Sequence, residues 1–357
     1  MVHTIAWLAW TASAAVAALL IRNPFYLGIV ALSAGLVYAT VGENAPLKAG
    51  WGGLLKLGLF IWAVTIPMNA LMAHTGNIVL FTLPQSWPII GGNITLEAVV
   101  FGAASGLSLW TLLLIFAAFN LAVDASQLLR VTPSFLYQAG VVTSIALTFV
   151  PQMLISAREI REAQRLRGHR FRGLRDLLPL FVPLLTTSLE RAIQLAESIE
   201  SRGFGGQLVQ LDDRGMSRLR WYMVAGLAIL LWGTFSRVYW SQRPQLGTLL
   251  IVLAIALLVD TFREMGRHVR RGRYSRGRWE AFDALTLAVS GAVLLGCVSL
   301  RLIDKGALNY YPYPPFPLLP PFDGWIGGLL ALLSLPGWIR LQPAERTPMH
   351  SSAIEAP

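Results

Sequence analysis

The chain has 357 residues, 55% hydrophobic and 13% charged, against about 25% charged in an average soluble domain. That balance excludes a soluble globular domain and indicates an all-α, polytopic helical membrane protein, because each helical crossing needs about 20 apolar residues. The net charge of +10 is read as the excess of basic residues that cytoplasmic loops of such proteins carry, not as a nucleic-acid surface.

Eight apolar runs are expected to span: Ile5–Ile21, Phe25–Val41, Leu54–Ala73, Ala98–Val123, Leu219–Trp240, Leu246–Phe262, Ala284–Ile303 and Trp325–Ile339. Too few apolar residues precede "TASAA" for a cleavable leader, so the first run is taken as the first span. "RNP" at 22–24 separates the first pair, since proline cannot continue a helix.

Arginine sets the orientation. Twelve Arg and no Lys lie between Arg158 and Arg220, and seven more Arg between Arg263 and Arg278. Both clusters are placed in the cytoplasm, which puts both termini inside and 75–97, 241–245 and 310–321 outside. The organisation then reads 1–123 as a four-span bundle and 124–218 as a cytoplasmic helical domain. It continues with 219–240 as a fifth core span, 241–340 as a three-span extension and 341–357 as a disordered tail.

Residues 124–218 are too many for an unstructured loop. "FLYQAGVVTSIALTFVPQMLI" (135–155) is apolar but interrupted by Thr, Ser, Gln and Pro. It is expected to lie along the membrane interface as an amphipathic helix. Two further helices are expected at about 153–167 and 179–202.

These two helices repeat each other at an offset of 35 residues. Leu154 aligns with Leu189, Ala157 with Ala192, Ile160 with Leu195 and Glu162 with Glu197, and then Arg167-Gly168 falls on Arg202-Gly203. Ala157, Ile160 and Ala163 share one helical stripe, as do Ala192 and Ala196. Small residues on such stripes let two helices cross closely. Glycine after the last helical residue stops a helix without steric cost, and arginine there meets the negative end of the dipole. The arginines are therefore either C-caps or a pair of docking prongs, whose planar forks suit a partner's carboxylates.

"PQMLISAREIREAQRLRGHRFRG" and "LLTTSLERAIQLAESIESRGFGG" resemble the coupling-helix region of the transmembrane T component of energy-coupling factor transporters, a family that includes the Q subunits of cobalt and nickel importers. The family's paired Xaa-Arg-Xaa motifs, often Ala-Arg-Gly, read here Leu166-Arg167-Gly168 and Ser201-Arg202-Gly203, with the first alanine replaced in both. "NPFYL" (23–27) is similar to the family's amino-terminal region, and the resemblance covers about residues 1–240. It implies a non-catalytic scaffold in the prokaryotic cell membrane. Such a scaffold joins two cytoplasmic ABC-type ATPases, seated on the arginine motifs, to a membrane-embedded S component that binds a vitamin or metal ion. No role carries over to the last three spans, so they are expected to be dispensable for ATPase docking.

Other classes find less support. The chain has no G-x-x-x-x-G-K-[ST] loop, and "LVDTF" (258–262) has no P-loop partner. The five histidines are scattered and Cys297 stands alone, so no metal ligand set, cofactor site or disulfide framework is expected. A secondary transporter would place ionisable residues near the midplane, whereas Lys56, Glu97, Asp124, Arg237 and Asp260 lie toward span ends. A membrane-embedded enzyme would need a convergent nucleophilic or carboxylate cluster, and none is apparent. Asn69, beside Pro67, is expected to bond a neighbouring helix. "GAASG" (102–106) reads as helix packing or as a sliding surface for the S component.

Overall fold

Helices dominate the computed structural model, which describes residues 3–42, 50–84, 91–133, 136–169, 173–203, 213–239, 244–267, 279–304 and 306–341. In chain order they are α1 (Thr4–Leu20), α2 (Pro24–Gly42), α3 (Trp51–Met72), α4 (Leu96–Ala122), α5 (Ala125–Val131), α6 (Tyr137–Leu166), α7 (Leu178–Ser201), α8 (Asp213–Tyr239), α9 (Pro244–Arg267), α10 (Ala281–Ile303), α11 (Gly324–Ala331) and α12 (Leu335–Leu341). Strands β1 (Val79–Thr82) and β2 (Asn93–Thr95) pair antiparallel before α4. The chain divides into two units, residues 1–124 with 277–357, and residues 125–276.

In the first unit α1 and α2 form the core. Trp7, Trp10, Ala14, Ala17 and Ala18 of α1 and Tyr26, Leu27, Val30, Ala34 and Val37 of α2 are buried. What covers them comes partly from the far end of the chain. The His3 amide donates to Asp283 Oδ1 (2.6 Å) at one end of α1 and the Arg22 amide to Leu308 O (2.9 Å) at the other, so α1 runs parallel to α10. Trp10 Nε1 donates to Leu333 O (2.9 Å). Gly327 sits against Ile29 and Gly337 against Leu36 and Val37, so α11 and α12 run parallel to α2.

Asn23 and Tyr26, in the "NPFYL" stretch, have a structural explanation. Asn23 Oδ1 accepts from the Phe25 amide (3.0 Å), capping the start of α2, while its Nδ2 donates to Pro321 O (2.6 Å). Tyr26 Oη accepts from the Asp323 amide (2.7 Å). Residues 277–341 are therefore part of the first unit, and the expected three-span extension is divided. Its first helix, α9, pairs instead with α8 in the second unit, where Gly226 meets Leu258 and Gly233 meets Ile251. Hydropathy marks where a helix is, but it carries no record of which helix covers which.

Gly102 and Gly106 face α3. An added Cβ at Gly102 would come within 3.0 Å of Ile66 Cα and Thr65 O, and one at Gly106 within 2.3 Å of Trp62. The "GAASG" stretch thus serves close helix packing inside the unit. Asn69 Nδ2 donates to Thr65 O of its own helix (2.9 Å), not to a neighbour, because a carbonyl one turn back is always within its reach. Gly102→Leu is expected to destabilise the bundle by about 1–3 kcal/mol through overpacking. Gly291→Ala, where a Cβ meets nothing within 4 Å, serves as the control. Tryptophan-monitored thermal unfolding in detergent checks this, and equal midpoints for the two variants would mean that α3 and α4 do not pack there.

Six of the eight expected spans are helices of span length and apolarity, and the first and last are shorter apolar helices, Thr4–Leu20 and Gly324–Trp338. One expectation fails locally. Residues 137–166 form a single 30-residue helix, not an interfacial helix followed by a separate one, and its Ala139–Leu166 part has the length and composition of a seventh long span. Pro151 lies inside it, and the helix continues through it despite the lost amide bond and the ring's crowding of the carbonyl four residues back. The hydroxyls of Thr143 and Thr148 donate to Ala139 O (2.7 Å) and Ile145 O (2.9 Å) of the same helix. The two threonines that look like interruptions therefore have their needs met within the helix.

Candidate functional site

The second unit holds the repeated helix ends. α6 stops at Arg167 and α7 at Arg202, each followed by a glycine of positive φ, Gly168 at +84° and Gly203 at +74°. At the first end the Gly168 amide donates to Arg165 O (2.9 Å) and the His169 amide to Gln164 O (3.0 Å), the bond pair of a Schellman cap. At the second, the Gly203 amide donates to Glu200 O (2.8 Å), the equivalent of the first of those bonds. Nothing lies within 4 Å of a Cβ built at either glycine. Backbone conformation, not lack of room, calls for glycine at both.

Arg167, Gly168, Ser201, Arg202 and Gly203 are all exposed. Leu166 is 90% exposed, so the first tip presents an apolar side chain beside its guanidinium. Among the described residues neither Arg167 nor Arg202 has a hydrogen-bonding or ionic side-chain partner. By contrast Arg191, on the body of α7, is engaged. Its Nη1 donates to Ser156 Oγ of α6 (3.1 Å), and Ser156 is buried.

Arg191 and Ser156 are themselves 35 residues apart. Sequence reasoning passed over them because they are polar positions on an otherwise apolar stripe, although the repeat offset aligns them. Their neighbours Ala157 and Ile160 are half-buried, and Ala163, Ala192 and Ala196 are exposed. Gln164 Nε2 reaches Pro179 O (3.5 Å), so the end of α6 meets the start of α7 and the helices run antiparallel. Arg167 lies eleven residues beyond Ser156, and Arg202 eleven beyond Arg191. At 1.5 Å per residue each tip stands about 16 Å from the bond, in opposite directions.

Residues 4–211 match the CbiQ family, cobalt transport protein. The chain belongs to the CbiQ family. The match takes in α1 to α7 and both Arg-Gly ends, and stops before α8. Several curated relatives carry the name energy-coupling factor transporter transmembrane protein EcfT. That of Streptococcus equi is 28% identical over 190 residues, 46% of this chain and 69% of the relative. That of Lacticaseibacillus paracasei is 28% identical over 243 residues, 59% and 88% respectively, and that of Lactococcus lactis 26% over 233 residues, 55% and 86%. With its apolar helices, this CbiQ-family chain is a multi-pass membrane protein and a transmembrane T component of the energy-coupling factor type.

Proposed function

We propose that this chain is the coupling subunit of an ATP-driven micronutrient importer. In this reading it joins two cytoplasmic ABC-type ATPases to a membrane-embedded S component that binds the vitamin or metal ion. It sits in the prokaryotic cell membrane with both termini inside, an arrangement in which α6 stays on the cytoplasmic side despite its length, and leaves ATP hydrolysis to its partners.

The observation that carries this reading is the pair of exposed arginines at helix ends closed by matching glycines on antiparallel helices. Tips pointing in opposite directions, at most about 33 Å apart, suit two separate subunits better than two pockets of one. The fork of each guanidinium suits an acidic cleft. Burial within the bundle agrees with a scaffold. The buried charged side chains among the described residues are Glu97 and Asp283. Both lie in the first turn of a helix and accept backbone amides, Glu97 from Asn77 and Ile78 and Asp283 from His3 and Glu280. Neither is placed to carry an ion across.

Co-expression of the tagged chain with the two ATPases tests the assignment. The ATPases should co-purify and hydrolyse ATP, and the chain alone should hydrolyse none. Failure of a folded, membrane-inserted chain to retain them overturns the assignment. The orientation is tested with single cysteines, since buried Cys297 provides an unreactive background. Ser201→Cys should react only after permeabilisation and Asn309→Cys in intact cells. The reverse pattern overturns the arrangement.

A further inference from the structure

Three segments meet at one end of the first unit: the α1–α2 turn, the β1–β2 ribbon and the loop from Asp304 to Asp323. Arg22 and Asn23 bond to Leu308 and Pro321. Phe101, at the start of α4, lies against Tyr311 and Tyr313 with ring centroids 6.2 and 5.7 Å apart. Asn77 and Ile78 line one small cavity together with Pro312, Pro314 and Phe316. Glu97 fastens the ribbon to α4 by accepting the Asn77 and Ile78 amides at 2.8 and 3.1 Å.

This end is apolar where a loop in water would be polar. No Asp, Glu, Lys or Arg occurs between Met72 and Glu97 or between Gly306 and Phe322. A strand with one face on a core alternates apolar and polar residues. β1 instead presents Val79, Leu80 and Phe81 on both faces, all exposed. Phe316, Leu319 and Phe322 in the loop, Trp325 opening α11 and Phe25 opening α2 are exposed as well. Burial raises the Tyr310 and Tyr313 phenols above their ordinary range, so these also stay neutral. Phe25 and Trp325 lie in the first turns of the apolar helices α2 and α11, which makes the patch continuous with the lipid-facing surface of the bundle.

We infer that the β1–β2 ribbon and the 306–325 loop lie in the headgroup layer of the membrane, with Phe81, Leu319 and Trp325 inserted toward the acyl chains. Lipid is the occupant because the patch is continuous with the hydrocarbon-facing spans and the exposed charges beside it, Arg22 and Asp323, stand singly and form no charged face to orient a protein partner. Aromatic residues are favoured at this depth, where one side of the ring is apolar and the other is wet. The ribbon's unpaired edges stay hydrated there, as the hydrocarbon core itself would not permit.

Spin labels at Phe81→Cys, Leu319→Cys and Trp325→Cys, in the full chain reconstituted in phospholipid nanodiscs, test this. Ser201→Cys is the aqueous reference and mid-span Leu109→Cys the hydrocarbon reference, with size-exclusion profiles confirming that each variant is folded. Relative collision with oxygen and with a water-soluble nickel chelate should place the three labels about 5–10 Å below the phosphates. Nickel accessibility equal to that at Ser201 would put the loops in water and overturn the inference. So would protection from both reagents that appears only in the assembled transporter, which would make the patch a protein contact.

Discussion

Replacing Arg167 and Arg202 together with alanine should abolish transport-coupled ATP hydrolysis and leave the membrane bundle folded. The Schellman bonds of the first cap are made by backbone groups, so loss of the side chains leaves the helix ends in place. The intrinsic effect on helix stability is about 0.3–1 kcal/mol each, from the dipole interaction alone. Seated in an acidic cleft, each guanidinium would make a charge-assisted contact whose removal strands its partner at about 2–5 kcal/mol. That is at least about a 30-fold loss of ATPase association per tip. Lysine should rescue poorly, since a point charge cannot reproduce the two-pronged geometry. Arg158→Ala, on the helix body, should have little effect. ATPase titration against the chain in nanodiscs reads the affinity, and wild-type binding and coupling in the double variant would reduce the arginines to helix caps.

Truncation at 276, which removes α10 to α12, should prevent the remaining chain from accumulating as a stable protein. It takes away Leu308, Leu330 and Leu333, all fully buried. It also leaves the His3 amide, Trp10 Nε1, Asn23 Nδ2 and Tyr26 Oη without their partners Asp283, Leu333, Pro321 and Asp323. Hydrogen bonds inside membrane proteins contribute about 0.6 kcal/mol on average and up to about 1.7. The four together amount to roughly 2–7 kcal/mol, a large part of the 5–15 kcal/mol of a typical domain. Pulse-chase of the truncated chain, with size exclusion of a fluorescent fusion, should show rapid loss and an aggregated remainder. Wild-type accumulation and elution would mean that the first hairpin is complete without its carboxyl-terminal cover. A cut after Trp240 additionally removes α9 from its glycine-lined contact with α8. ATPase docking can survive such cuts only if α6 and α7 keep their fold without α9.

What the sequence made legible follows from which forces are local. Apolar runs of about 20 residues and the stops at Gly168 and Gly203 each depend on a few consecutive residues, and the structure has helices and positive-φ glycines there. The continuity of α6 was missed because Pro151 and Thr148 look like interruptions when read one residue at a time. The Thr148 hydroxyl finds an acceptor in Ile145 O one turn back, and the helix runs on through Pro151, which has no amide to satisfy. The pairing of α1 with α10 was out of reach for another reason. A uniformly apolar helix has no face that names its neighbour, and the deciding bonds connect residues about 300 positions apart. At the candidate site the arginines were visible as a repeat. The Ser156–Arg191 bond needed the two helices laid across each other.

The separation of Trp10 from Leu333 by 323 positions also imposes a schedule on biogenesis. At about 5–20 residues per second, the first hairpin leaves the ribosome roughly 15–60 s before the helices that cover it. During that interval its two tryptophans and the Asn23 side chain must be sheltered by lipid or by the insertion machinery. The second unit, encoded between the two halves of the first, is complete before the bundle closes. Ribosome pausing or premature termination late in the message should therefore strand molecules whose arginine-tipped helices are already formed while the bundle is still open. Such molecules could still capture ATPases without moving any cargo, so the cell has reason to degrade them quickly.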